Sequence, residues 1–123
     1  MKKIYTSNAP QPVGPYSQAI LAGDTLYCSG QIALDPQTGE MTGTEVATQT
    51  EQICKNIKAV LETAGLTFDN VVKTTCYLTD MNDFASFNEV YAKCFISAPA
   101  RSCVAAAALP KGAIVEVEVT AVS

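Results

Sequence analysis

The sequence predicts an α+β domain, a single mixed β-sheet with two helices packed on one face. Segments rich in β-branched residues alternate apolar and polar positions, and two other stretches carry an apolar stripe at helical spacing on one side only. Turn residues separate these elements into the order β-β-α-β-α-β-β. A helix with one apolar face needs one partner surface, so both helices can share one side of one sheet. At 123 residues the chain suits one domain spanning 1–123. Folding such a chain buries roughly two-thirds of its unfolded surface.

Taken in order, "SNAPQPVGPYSQ" (7–18) is dense in proline and glycine and reads as an irregular loop. "QAILAGDTLYCSGQIAL" (18–34) reads as two strands about the turn "AGD", and "DPQTGEMTG" as a turn-rich connection. From Val46 to Ala64 the apolar positions are 46, 50, 53, 54, 57, 60, 61 and 64, counting Thr50 as semi-apolar. That spacing makes a helix with one buried stripe. Thr44 is its expected N-cap, Gly65 its stop, and Glu51 with Lys55 an i,i+4 pair on its polar side.

"NVVKTTCYLTD" (70–80) reads as a strand from its β-branched content. A second helix, capped by Asp80 or Asn82, lines up Phe84, Phe87, Val90, Tyr91, Cys94 and Phe95. "RSCVAAAAL" and "AIVEVEVTAVS" are the last two strands, joined by "PKG" and expected to form a hairpin. In the final strand Val115, Val117, Val119 and Ala121 share one face, and Glu116, Glu118 and Thr120 the other. The helix-free face of this sheet retains apolar residues, which predicts association of several copies.

Eight cations stand against twelve acids, a net charge of −4, with no basic cluster. That argues against nucleic acid, whose binding needs clustered Lys and Arg. No apolar run approaches the ~20 residues that cross a bilayer. The basic "MKK" is followed by polar "YTSNAPQ" in place of a signal segment, so a soluble, cytoplasmic protein without a membrane partner is expected. The five cysteines are scattered and odd in number, which fits small buried hydrophobes in a reducing compartment. Histidine is absent, removing the commonest general base, the Ser-His and Cys-His pairs and most zinc chemistry. No metal and no cofactor is expected, and any catalysis falls to carboxylates, phenols, the backbone or arginine.

There is one arginine, Arg101, at the head of the small apolar run "SCVAAAALP". It is either an ion pair near a strand edge or an anion-binding group. A guanidinium holds a carboxylate through two charge-assisted hydrogen bonds, and a nearby glutamate can take a proton from water. Together these groups suit hydrolysis of a small organic acid with a cationic carbon–nitrogen double bond. In the expected hairpin Glu116 lies opposite residue 106, ~15 Å along the strand from Arg101. The two can then serve one site only from different copies of the chain.

The blocks "NAPQPVGPYSQA", "LYCSGQIALDPQTGE", "VVKTTCYLTDMNDFASFNEVY", "PARSCV" and "LPKGAIVEVEV", in this order and spacing, resemble the reactive intermediate deaminase A (RidA, or YjgF-type) family along essentially the whole chain. The resemblance implies a chorismate-mutase-like fold, a homotrimer with three intersubunit clefts, and hydrolysis of 2-iminobutanoate and 2-iminopropanoate to 2-oxo acids and ammonia. It implies Arg101 as the carboxylate-binding residue and Glu116 as the residue that directs water. Tyr16, Ser29, Gly30, Asn88 and Cys103 match positions that border the substrate, Cys103 as lining and not as a nucleophile. Glu118 is left as a solvated surface residue. The segment "CFISA" is shorter than the family's usual stretch and lacks its aromatic before the proline. Alternative readings are a non-catalytic small-acid-binding or chaperone-like trimer and, less favoured by the acidic composition, a ribonuclease or translation inhibitor.

Overall fold

A computed structural model describes residues 1–123. The strands are β1 (Lys2–Ile4), β2 (Ala19–Ala22), β3 (Thr25–Cys28), β4 (Val71–Leu78), β5 (Ala100–Ala105) and β6 (Val115–Val122). Two helices, α1 (Val46–Thr63) and α2 (Phe84–Cys94), complete the set. The six strands form one mixed sheet in the order β1-β2-β3-β6-β4-β5, antiparallel throughout except for the parallel pair β4 and β5. The helices pack against each other on one face.

The topology explains why one face carries both helices. β3 and β4 each run antiparallel to β6 between them, so they are parallel to each other, and α1 is the crossover that joins them. α2 joins β4 to its parallel neighbour β5. Both crossovers step the same way across the sheet, and right-handed crossovers in one direction leave their helices on the same side. There Val115, Val117, Val119 and Ala121 meet Ile53, Ile57, Val60, Leu61 and Phe87, all almost fully buried. The opposite face carries Tyr27 at 55 % and Val104 at 48 % exposure beside Glu116 and Glu118, so apolar surface does remain there. No helix is long and apolar enough to cross a membrane.

Several local expectations need correction. The last two strands are not a hairpin: β6 inserts between β3 and β4, while β5 is the sheet edge. The strand expected to run on through the alanines stops at Ala105. Residues 106–114 then cross the end of β4, with Ala106 N donating to Leu78 O and Thr79 N to Ile114 O. A three-residue strand, β1, lies at the N-terminal edge, too short to show periodicity. Glu45, not Thr44, precedes α1, and its side chain makes no capping bond. The ion pair on α1 is Lys58–Glu62 at 3.9 Å, two turns beyond the expected Glu51 and Lys55 pair. Asp80 does cap, but it caps a single 3₁₀ turn (Met81–Asp83) leading into α2.

Candidate functional site

The proline-rich loop is shaped by one buried glutamine. Gln18 Oε1 accepts from Thr6 N at 2.8 Å, and its Nε2 donates to the carbonyls of Thr6, Ala9 and Pro10 at 3.0, 3.3 and 2.9 Å. These bonds satisfy backbone groups that no strand reaches and fold the loop over the sheet. Ser29 extends the tie, its hydroxyl donating to Ser17 O at 2.6 Å and its N–H to Gln18 O at 2.9 Å. Gln31 and Val117 exchange backbone hydrogen bonds, which lays the 29–31 segment beside Glu116. The result is a cavity of about 360 Å³ lined by, among others, Tyr16, Ser29, Gly30, Gln31, Ile32 and Glu116.

Gly30 is glycine because of close approach. A Cβ there would come within 2.9 Å of Glu116 Cδ and nearer still to its Oε2. Tyr16 forms part of the rim, with its hydroxyl accepting from Val13 N at 3.2 Å. Burial pushes the Glu116 carboxyl above the usual range, and the charge of Glu118 adds to the shift. Such a carboxylate holds a proton more readily than a solvated one and suits proton transfer to and from water. Glu118 is exposed, as expected, and also lines this cavity.

Arg101, Asn88 and Cys103 form a second group, where β5 meets α2. Arg101 Nη1 donates to Asn88 Oδ1 at 2.8 Å. Its guanidinium carbon lies 4.7 Å from the Tyr91 ring centroid, 5.4 Å from that of Phe84 and 6.0 Å from that of Phe87. The edge ion pair does not form, because Lys58–Glu62 is the one salt bridge in the structure. The ring faces support the half-buried cation without neutralising it. Burial pushes the Cys103 thiol up, with Arg101 opposing, so the sulfur stays a protonated lining group. All five cysteines are free, and no three Cys, Asp or Glu side chains converge as metal ligands would.

The seven candidate residues therefore fall into two groups within one chain. Arg101 pairs in register with Thr74 and Glu116 with Tyr77, on either side of β4. Three residues along and two strand spacings across put their backbones ~14 Å apart. They also face opposite ways, Arg101 toward α2 and Glu116 toward the helix-free side. The expected separation thus holds, for a reason other than the hairpin. Residues that sequence patterning did not mark are Gln18, Gln31 and Glu118 in the cavity region and the aromatic rings beneath Arg101. The last were legible only as a helix stripe.

Two helices on one face of a mixed six-stranded sheet, with this cavity against β6, define the L-PSP/chorismate-mutase-like class of proteins. The family described as endoribonuclease L-PSP matches residues 6–123, and the chain belongs to that family, the RidA/YjgF family. A RutC family protein of Pyrococcus horikoshii is 53 % identical over 119 residues, 96 % of this chain and 94 % of that protein. A human 2-iminobutanoate/2-iminopropanoate deaminase is 48 % identical over 120 residues, 97 % of this chain and 88 % of that protein. Among solved structures, E. coli TdcF with bound serine superposes with a TM-score of 0.95 at 42 % identity, covering 100 % of this chain and 99 % of TdcF.

Proposed function

We propose that this protein hydrolyses small 2-imino acids, chiefly 2-iminobutanoate and 2-iminopropanoate, to 2-oxo acids and ammonia in clefts between the subunits of a homotrimer. The observation that carries this reading is the placement of its two charged groups. An arginine without an acidic partner and a carboxylate of raised pKa lie on opposite faces of one sheet. A three- or four-carbon acid cannot bridge ~14 Å through a sheet, so both groups reach it only from neighbouring chains. The activity named for the human relative, the serine bound by TdcF and the apolar residues on the helix-free face all support the reading.

In the proposed reaction Arg101 holds the substrate carboxylate, while Tyr16, Asn88 and the main chain near Gly30 and Cys103 orient the iminium. Glu116 of the adjacent subunit takes a proton from water as its oxygen bonds to the cationic carbon. The same carboxyl returns that proton to the nitrogen of the carbinolamine. The C–N bond then breaks, ammonia leaves, and it takes up the hydroxyl proton as the carbonyl forms. The family's description as an endoribonuclease raises RNA as another substrate, but the net charge of −4 supports the small acid.

The test mixes two inactive variants. Arg101→Ala and Glu116→Gln, co-refolded in equal amounts, should regain about one quarter of wild-type imine hydrolysis, because one site in four then draws both intact groups from different chains. A mixture as inactive as its components overturns the shared site.

A further inference from the structure

Arg101 and Tyr91 belong to a closed circuit of contacts. Thr74 on β4 is the register partner of Arg101 on β5, and it is fully buried. Its hydroxyl lies 2.7 Å from the Tyr91 hydroxyl. The Tyr91 ring stacks on Phe95 at 4.4 Å and packs against Phe87 at 5.5 Å, and the Arg101 guanidinium rests over it. One threonine thus stands beside the arginine backbone and also fixes the ring beneath the arginine head group.

Phenylalanine would fill nearly the same space but would leave the buried Thr74 hydroxyl without this partner. Burial pushes the Tyr91 phenol up, so it stays neutral and offers no charge to quench the arginine. Asn88 occupies Nη1, and no other protein acceptor engages the guanidinium. No buried side-chain nitrogen lacks a partner, so the donors left over face solvent, open to an arriving acid.

We propose that Tyr91, pinned by Thr74, is a positioning residue that sets the guanidinium of Arg101 to receive a carboxylate. The inference rests on the reading of Arg101 as the carboxylate anchor.

The chain has one arginine, so a proton–nitrogen NMR spectrum contains a single arginine Nε–Hε signal to follow. In the wild type that signal should be displaced upfield by the ring current of Tyr91. Tyr91→Leu should return it toward the position of free arginine and weaken 2-oxobutanoate binding, followed by calorimetry, about tenfold. Tyr91→Phe and Thr74→Val keep the volume and remove the pin; they should shift the signal partway and weaken binding about threefold. They carry the test should the leucine variant fail to fold. An unshifted wild-type signal, or folded variants with wild-type signal and affinity, overturns the proposal. A wild type that binds 2-oxobutanoate but fails to hydrolyse the imine removes the deaminase reading alone and leaves positioning to be read from binding.

Discussion

The cavity around Glu116 and the aromatic shelf around Arg101 share one sheet, yet they hold their charges by opposite means. Glu116 sits half-buried beside another acid, so its ionised form is disfavoured and its proton is easily exchanged. Arg101 rests on ring faces and one amide oxygen, which favour its charge, and a guanidinium does not deprotonate in proteins. The glutamate can be tuned by its surroundings; the arginine can only be aimed. Burial therefore sets a pKa on one side of the sheet and an orientation on the other.

The largest effect should come from removing the group that can only be aimed. Arg101→Ala is expected to lower kcat/KM ~10²–10⁴-fold, the worth of two charge-assisted hydrogen bonds. Arg101→Lys should recover little, because it restores charge without the planar fork. Steady-state hydrolysis of imine generated in place by a serine or threonine dehydratase measures both. Turnover by the alanine variant near that of the wild type would remove Arg101 from the site.

Glu116→Gln should lower kcat about 10²–10³-fold by removing the proton acceptor, yet raise thermal stability at neutral pH. The folded pKa of Glu116 lies above its unfolded value, so the folded state binds the proton more tightly. Its contribution to stability is fully present below the unfolded pKa and is lost as pH rises through the folded one. At neutral pH the ionised side chain costs stability, which glutamine restores. The gain in Tm should shrink as the medium is acidified, and a Tm that falls at neutral pH would count against a strained carboxylate.

Glu118→Gln is a smaller perturbation. With the second acid gone, the acid limb of the kcat/KM profile should move to lower pH while the maximal rate stays within about threefold. A limb that stays in place would leave burial as the whole cause of the Glu116 shift. The smallest effect is expected outside both regions. Ala98, in the short link between α2 and β5, has φ +53°. Ala98→Gly should stabilise by about 0.5–1 kcal/mol in denaturant unfolding, with turnover unchanged.

How far the sequence could be read differs from element to element. The 46–64 stripe and the Val-Glu alternation of β6 announced their elements because burial on one side imposes a period on the residues themselves. β1 escaped because three residues make no period. The hairpin expectation failed because strand pairing is a property of pairs of segments. A short "PKG" link argued for adjacent strands, yet Lys111 and Gly112 at φ +56° and +70° turn the chain inside a longer crossing over β4. Glu118 is exposed as expected, but its place beside the cavity was not legible for a related reason. Alternation placed it on the outer face but carried no information on the loop that closes a cavity over that face.

The sequence by itself determined the α+β class, the two one-sided helices, the solitary arginine and the glutamate-bearing face of the last strand. Each follows from local periodicity or from composition, which a chain carries before it folds. Only the tertiary structure decided that β6 lies between β3 and β4, that Gln18 folds the N-terminal loop over Glu116, and that the arginine rests on Tyr91 facing away from that glutamate. Those depend on long-range pairing and on which buried polar groups find partners, and neither is written in the spacing of residues along the chain.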